Sequence, residues 1–426
     1  MVIISIVVGL AVLAAFGALH WYAWRRLVRD TTRQGSVLRR SGSVVFVAGS
    51  LIAVGALMIS RAEVPFRLVQ ILAWPGYLWL AFSLYLLLAL LVGEAVRPLL
   101  LRWFARRDTT AEVGALSQQT PQLAAVAPGP PAVTEHPLAP ESGPPPASAP
   151  ASPSRRLFVS RVVGGVAAAA AVGTVGQGAY GVLRGPKVKR VTVPLAKLPR
   201  SAHGYRIAVV SDIHLGPVLG RGFAQRVVDT INATQPDLIA VVGDLVDGSV
   251  EDLGPAAAPL AQMRARHGAF FVTGNHEYLS GAEQWVEKVR ELGLRPLENA
   301  RTELPAFDLA GVDDVRGERE GKGPDFAKAL GDRDRSRAAV LLAHQPVVIH
   351  DAVRHGVDLQ LSGHTHGGQL WPGNYLAELA NPTVAGLERY GDTQLYVSRG
   401  AGAWGPPVRV GAPSDITVVE LASRQA

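Results

Sequence analysis

The sequence contains no cysteine. This absence excludes disulfide bonds, thiolate metal sites, a cysteine nucleophile and a lipoprotein anchor. Aromatic residues are missing from the segment Asp108–Ser154, in which 11 of the 47 residues are proline. A segment of this composition cannot bury enough apolar surface to offset the entropy of ordering its backbone. We therefore predict that residues 108–154 are a disordered, partly extended linker.

The formal net charge of the 426-residue chain is +7. A chain of this length holds two or three domains, and its positive charge suits either nucleic acid or an anionic membrane surface as a partner. The basic residues crowd around long hydrophobic runs, so a membrane explains the charge better. We expect a membrane-associated protein and no nucleic acid partner.

Three apolar runs predict a membrane region with three transmembrane helices in residues 1–107. The runs are Val2–Trp24, Val44–Ser60 and Leu68–Gly93. A cleavable signal peptide fits the first run poorly, because no positively charged region precedes it. Arginines crowd into the loop after the first run and the segment after the third. The positive-inside rule therefore places these two segments in the cytoplasm and the N-terminus outside.

A fourth apolar segment occupies residues 155–184. The paired Arg155 and Arg156, then Phe158 and the weakly hydrophobic run Val162–Leu183, resemble a twin-arginine export signal. The alternative is an ordinary fourth transmembrane helix or signal anchor. Either interpretation carries residues 191–426 across the membrane. We expect a multi-pass protein of the cell membrane with residues 191–426 outside the cytoplasm.

Residues 191–426 have the pattern of an α/β domain, in which short apolar runs alternate with longer amphipathic stretches. The predicted helices are Phe223–Ala233 and Ala282–Leu292. The predicted strands are Arg206–Val210, Leu238–Val242, Ala269–Val272, Ala339–Leu342, Val357–Leu361, Gln394–Val397 and Ile416–Leu421.

Polar motifs follow five of these strands, at the strand ends where open α/β sheets bind ligands. Five of the eleven histidines of the chain fall within these motifs. In the last motif, residues i and i+2 of an extended backbone project to the same side, so both histidines reach one small volume. The motifs contain Asp212 and His214, Asp244 and Asp247, Asn275 and His276, His344, and His364 and His366.

The order D-x-H, G-D-x-x-D, G-N-H-E, H and G-H-T-H resembles the calcineurin-like metallophosphoesterase family, and its bacterial membrane-anchored subgroup in particular. The resemblance covers Tyr205 to Leu421 and implies a four-layer αββα sandwich with a site for two divalent metal ions. It also implies the ligands: Asp212, His214 and His366 for one ion, Asn275, His344 and His364 for the other, and Asp244 for both.

The residue types support this chemistry independently. Carboxylate, amide and imidazole ligands suit manganese, iron or zinc better than copper. Two such ions about 3.5–4 Å apart activate a water as hydroxide and clamp the oxygens of an in-line displacement. His276 is the expected general acid for the leaving alkoxide or a donor to the phosphoryl oxygens. Asp247 either orients a ligand histidine or is a turn residue.

The expected function is hydrolysis of a phosphate ester by a metal-activated hydroxide. A phosphodiester or pyrophosphate of an envelope lipid is favoured, because basic residues precede the domain and Trp371 and Trp404 lie in Gly/Pro-rich loops where they would meet an acyl or isoprenoid chain. A general phosphomonoesterase is the first alternative. A non-catalytic metal-binding module is the second, although such a module would need neither a complete ligand set nor His276.

Overall fold

The computed structural model describes residues 2–59, 64–116 and 155–425. Four helices precede the α/β domain: α1 (Val2–Trp24), α2 (Val37–Ile59), α3 (Phe66–Leu116) and α4 (Arg155–Leu183). Among the described residues, α2, the segment Phe66–Phe104 of α3, and α4 are long and apolar enough to cross a membrane. These three helices confirm the apolar segments predicted at the same places.

Two predictions fall partly outside the described part of the chain. The helix α1 covers the first predicted span, but the side chains of residues 2–6 and 8 are not described, so its place in the membrane stays a prediction. The helix α3 continues to Leu116, and residues 117–154 of the predicted linker lie outside the described residues.

The chain forms two compact units, and the first consists of Met1–Phe46 and Leu86–Ala170. Polar contacts join its segments. Arg26, just after α1, forms an ion pair of 2.7 Å with Glu94 of α3. Arg161 of α4 donates a hydrogen bond from Nε to the carbonyl oxygen of Thr31 at 3.0 Å. The loop after α1 is thereby tied to α3 and to the beginning of α4.

The second unit consists of Val47–Tyr85 and Ala171–Ala426 and contains the α/β domain. The strands that the structure describes are β1 (Lys187–Leu195), β2 (Tyr205–Val210), β3 (Leu238–Val242), β4 (Ala269–Val272), β5 (Arg295–Pro296), β6 (Ala300–Glu303), β7 (Asp308–Gly311), β8 (Ala339–Leu342), β9 (Leu359–Ser362), β10 (Gly386–Tyr390), β11 (Thr393–Val397) and β12 (Asp415–Ser423). Its helices are α5 (Arg221–Ala233), α6 (Val250–Ala257), α7 (Asn275–Ser280), α8 (Ala282–Glu291), α9 (Phe326–Leu330), α10 (Ile349–Arg354) and α11 (Gly373–Ala380).

The strands form two six-stranded mixed sheets, of order β1-β12-β2-β3-β4-β5 and β10-β11-β9-β8-β7-β6. In the first sheet β2, β3, β4 and β5 run parallel. In the second, β7, β8, β9 and β11 run parallel. Parallel neighbours end at the same edge of a sheet, so the polar residues that follow β2, β3 and β4 come together, as do those that follow β8 and β9.

Three apolar clusters hold the layers together and confirm the four-layer αββα arrangement. The first cluster joins α5, α6 and α8 to the outer face of the first sheet, for example through Phe223, Trp285 and Phe271. The second lies between the two sheets and includes Phe270 and Leu361. The third joins α9 and α10 to the outer face of the second sheet. Both sheets therefore have two buried faces, which explains why their central strands read as continuous apolar runs.

The parts of α3 and α4 within the second unit contact the α/β domain. Phe66, the first residue of α3, and Leu183, the last of α4, pack against the first apolar cluster. The carbonyl oxygen of Gly178 accepts a hydrogen bond from the backbone N–H of Arg409 at 3.4 Å. A Cβ atom at this glycine would lie 2.9 Å from the carbonyl oxygen of Arg409. Gly178 therefore allows α4 to approach the domain closely.

The seven predicted strands and two predicted helices are confirmed, with ends shifted by up to two residues. The sequence analysis missed β1, β5, β6, β7 and β10. Strands β6 and β10 lie at an edge of the second sheet, and their residues are polar or partly exposed, so they lack the apolar run that marks a buried strand. Strand β1 begins at Lys187, four residues before the predicted domain boundary at Val191.

Candidate metal centre

Sharp turns after the strands direct the predicted ligands toward one place. Left-handed backbone is rare for residues other than glycine and costs on the order of 1–3 kcal/mol per residue. Such residues cluster at sites where the surrounding fold enforces them. Five of the seven predicted ligands adopt it: Asp212 (φ 52°), His214 (φ 48°), Asp244 (φ 51°), His364 (φ 71°) and His366 (φ 53°).

The first group of side chains consists of Asp212, His214 and His366, all of them buried. The Nε2 atoms of the two histidines are 3.0 Å apart. Nε2 of His366 lies 3.4 Å from Oδ1 of Asp212. Gly363 permits this approach, because a Cβ atom there would clash with Ser211 and Asp212.

The second group consists of Asp244, His344 and His364. Nε2 of His344 lies 3.1 Å from Oδ2 of Asp244 and 3.2 Å from Oδ1 of Asn275. Oδ2 of Asp244 is also 3.7 Å from Nε2 of His214 in the first group. Asp244 therefore lies between the two groups.

The two groups fit divalent metal ions. Within each group, the nitrogen and oxygen atoms available for coordination lie within 4.8 Å of one another. Burial raises the pKa of Asp212, since no solvent stabilises its charge. Burial also opposes ionisation of Asp244, but His344, His214 and His276 outweigh burial and lower the pKa of Asp244. A buried set of carboxylates and facing imidazoles is a donor set for borderline cations such as manganese, iron and zinc.

The structure places His276 and Asp247 directly beside the first group. Oδ1 of Asp247 lies 2.6 Å from Nδ1 of His276 and 2.9 Å from Nδ1 of His214. Burial lowers the pKa of His276, but its hydrogen bond to Asp247 and the charge of Asp244 outweigh burial, and the pKa is raised. Burial likewise opposes ionisation of Asp247, yet His214 and His276 lower its pKa to about 2. These contacts favour the orienting role for Asp247 over that of a turn residue.

Two further buried residues support the site, and the predicted set of site residues contains neither. Glu277 accepts backbone N–H hydrogen bonds from Gly274 (2.6 Å), Asp244 (3.0 Å) and Leu245 (2.8 Å), so it fixes the turns that carry Asp244 and Asn275. The sequence feature that could have identified Glu277 is its place as the last residue of the G-N-H-E motif. Arg409 donates from Nη1 to the carbonyl oxygen of His366 at 3.0 Å. Arg409 lies in a loop far from the motifs in sequence, so no sequence signal pointed to it.

An open cavity of about 450 Å³ lies beside the second group. Asn275 and His364 form one side of it, and Leu279, Arg316 and Arg319 contribute to the rest. Neither guanidinium forms an ion pair with another residue that the structure describes. The lining thus combines two positive charges, the carboxylate of Glu318 and an exposed apolar side chain next to predicted metal ligands.

The two tryptophans singled out from the sequence are exposed, at 49 % for Trp371 and 59 % for Trp404. The ring of Trp404 lies edge-on to that of His276, with 5.7 Å between the centroids. Gln369 holds the Trp404 loop, since its Oε1 accepts from the Trp404 N–H at 3.0 Å and its Nε2 donates to the Trp404 carbonyl oxygen at 2.9 Å. Trp404 is therefore fixed at the entrance to the site.

Comparisons with known proteins agree with this fold and site. A family model described as calcineurin-like phosphoesterase matches residues 205–368. The chain is 41 % identical over 250 residues to a transmembrane protein with metallophosphoesterase domain from Danio rerio, covering 55 % of this chain and 57 % of that protein. It is 38 % identical over 255 residues to a metallophosphoesterase from Helicobacter pylori, covering 59 % and 68 % of the two chains. It is 35 % identical over 240 residues to one from Aquifex aeolicus, covering 55 % and 91 %.

The chain therefore belongs to the calcineurin-like phosphoesterase family. Its α/β domain is the domain of a metal-dependent phosphoester hydrolase, and three apolar helices able to span a membrane precede it. The alignment spans just over half of the Danio rerio relative, at 57 % of its length. The structure brings the seven predicted ligands together, while their assignment to individual ions stays a prediction.

Proposed function

We propose that this chain is a membrane-anchored phosphoesterase with a binuclear metal centre, and that it hydrolyses a phosphodiester or pyrophosphate of an envelope lipid. The observation that carries the proposal is the meeting of two ligand groups at Asp244, beside His276 and an open cavity. A donor set without this neighbouring acid and cavity would serve a structural metal equally well.

Asp212, His214 and His366 would hold one ion, Asn275, His344 and His364 the other, and Asp244 both. When bound, two divalent ions supply the positive charge that acidifies water and polarises the phosphoryl group. Neighbouring residues of the protein hold the ligand histidines in position. Asp247 contacts Nδ1 of His214, and Nη2 of Arg409 lies 3.0 Å from Nδ1 of His366, so these rings have little freedom to turn.

His276 would donate a proton to the leaving oxygen. Nδ1 of His276 faces Asp247, so this nitrogen carries a proton and donates it in a hydrogen bond to the carboxylate. The other ring nitrogen, Nε2, is left to exchange a proton with substrate. The neighbouring ring of Trp404 shields the imidazole from water on one side. The pair Asp247–His276 is thus arranged as an orienting carboxylate and a general acid.

The cavity supports an anionic, partly apolar substrate. Arg316 and Arg319 offer guanidinium groups of the kind that bind phosphate oxygens in pairs, and they lie a short way from the predicted metal ligands. A substrate with a second phosphate, such as a pyrophosphate, would use both the metal centre and these guanidinium groups. Leu279, 62 % exposed, and Trp404 provide apolar surface for the chain of a lipid.

Chain length of the substrate tests the lipid proposal. We expect the full-length enzyme to cleave a long-chain lipid pyrophosphate in micelles or bilayers much faster than a short-chain analogue with the same head group. The reason is that a tethered active site meets membrane-bound substrate at high local concentration. Steady-state phosphate release from the two substrates provides the measurement.

Two sets of variants separate the contribution of the lipid chain from that of the second phosphate to substrate preference. Trp404→Ala should reduce hydrolysis of the long-chain substrate more than that of the short-chain substrate or of bis-p-nitrophenyl phosphate. Arg316→Gln and Arg319→Gln should raise KM for the pyrophosphate and leave this simple diester unaffected. Equal rates on long and short chains would remove the case for a lipid and indicate a general phosphoesterase.

We further propose that the α/β domain lies outside the cytoplasm. The arginine distribution supports this orientation, as does the polar cluster that ties the basic loop after α1 to α3 and α4. Phe66, next to the short loop between α2 and α3, packs against the core of the α/β domain. The predicted topology places this short loop outside the cytoplasm.

Reporter fusions test this topology. A reporter that is active only in the periplasm should give signal when fused after Ala426 and none when fused after Gln118, because an odd number of spans separates the two points. Expression of both fusions is verified by immunoblotting. Signal at Gln118 but not at Ala426 would place the catalytic domain in the cytoplasm.

A further inference from the structure

The helix α11 presents an apolar face to the outside of the domain. None of its residues is buried. Leu379 is 85 % exposed, Leu376 72 % and Tyr375 58 %, and Trp371, just before the helix, is 49 % exposed. A contiguous exposed patch of large apolar side chains marks an interaction site on a protein surface. We call these four residues the α11 patch.

The patch has the pattern of a helix that lies in a membrane interface. Positions 375, 376 and 379 fall within an arc of about 100° on the helix, which is the width of an ordinary apolar stripe. Glu378, the only charged residue of the helix, lies outside this arc. Helices with an apolar face and an adjoining aromatic residue lie along the bilayer surface, with the apolar face buried about 5–10 Å deep.

A contact with a membrane helix identifies what covers the patch. The hydroxyl group of Tyr85 donates a hydrogen bond to the carbonyl oxygen of Trp371 at 3.0 Å. Tyr85 lies within Phe66–Phe104, a segment able to span a membrane. The chain that enters α11 is therefore held against a helix able to span a membrane, and under the proposed membrane anchoring a side chain exposed beside such a helix faces the bilayer rather than water.

We propose that the α11 patch inserts into the lipid bilayer and docks the catalytic domain there. The inference rests on the proposed membrane anchoring and is independent of which phosphoester is cleaved. Trp371 follows His366 by only five residues, so insertion of the patch would hold the metal centre at the level of the lipid head groups. A head group would then reach the site without leaving the membrane.

The absence of cysteine makes a direct test possible. Leu379→Cys and, as a matched control, Asp332→Cys are each labelled with an environment-sensitive fluorophore in the full-length chain. Asp332 has an 87 % exposed side chain and pairs with Arg301 of β6, at the opposite edge of the sheet from β10. Both proteins are reconstituted in vesicles of phosphatidylcholine and phosphatidylglycerol, and quenching is measured with lipids brominated in the upper acyl chain and with aqueous iodide.

We expect several-fold stronger quenching by brominated lipid at position 379 than at position 332, together with weaker quenching by iodide. Equal quenching at both positions would overturn the proposal. Protection from iodide without quenching by brominated lipid would also overturn it and would indicate that protein, either a second copy or another segment of the chain, covers the patch. Thermal unfolding checks both variants, and Leu376→Cys replaces Leu379→Cys if that variant is unstable. None of these readouts depends on catalysis, so an inactive protein would not affect the outcome.

Discussion

Asp244→Asn should remove at least one of two bound metal ions and nearly all phosphoester hydrolysis. Oδ2 of Asp244 lies 3.1 Å from Nε2 of His344 and 3.7 Å from Nε2 of His214, so a single carboxylate serves both ligand groups. The amide keeps the shape of the side chain but loses its negative charge. The loss should exceed the roughly 10–100-fold effect that is usual for residues behind the ligands. Plasma emission gives the metal content, and manganese-dependent release of nitrophenol from bis-p-nitrophenyl phosphate gives the rate.

Asp392→Asn is a matched control for the same change of chemistry. The Asp392 side chain is fully exposed, in the turn between β10 and β11, and its replacement should alter neither metal content nor rate. Full metal content at the wild-type rate in Asp244→Asn would refute the ligand assignment. A wild-type protein that binds two ions and hydrolyses no phosphoester would instead support the non-catalytic module.

His276→Ala should keep both metal ions while turnover falls on the order of 10²–10⁴-fold, the usual contribution of a positioned general acid. His276 contacts Asp247 at 2.6 Å and belongs to neither group built around Asp212 or Asp244. Metal content and turnover are measured as above. His203→Ala, at an exposed histidine, is the control and should resemble wild type.

The choice of substrate distinguishes the two roles open to His276. An alkoxide leaving group needs a proton far more than nitrophenolate does, so loss of a general acid should damage hydrolysis of an alkyl phosphodiester more than that of the nitrophenyl diester. A residue that only donates to the phosphoryl oxygens would give similar losses on both. Loss of metal in His276→Ala would show instead that this histidine is a ligand.

The sequence sufficed to predict the central strands and to place the candidate ligands at their ends, because both rest on local patterns. Central strands with two buried faces, such as β3, have sequences that are unbroken apolar runs. Parallel sheets bind ligands at the carboxyl ends of their strands, so ligand residues directly follow such runs. The positions of Asp244 and His344 follow from these two rules. Edge strands such as β6 and β10 face solvent on at least one side, so their sequences carry no comparable signal.

Features that depend on contacts between distant segments were beyond the sequence. Arg409 reaches His366 from a loop 43 residues away, and no periodicity marks it. The helix α11 has the spacing of an ordinary amphipathic helix, which predicts a face packed on the domain. The structure shows the opposite, because that face is exposed beside a segment able to span a membrane. Whether an apolar stripe is core or surface depends on tertiary packing, which no local pattern records.

The position of β12 in the first sheet has a consequence for how the protein is made. Strand β12 lies between β1 and β2, although every strand of the second sheet precedes it in the chain. During synthesis or passage across a membrane, β1 and β2 therefore emerge without the neighbour that joins them. The first sheet closes only after the second sheet has been delivered, so Asp212 and His214 cannot be locked in place on a partly delivered chain. Such distant pairing slows folding, and it also delays assembly of a reactive centre until the domain is whole.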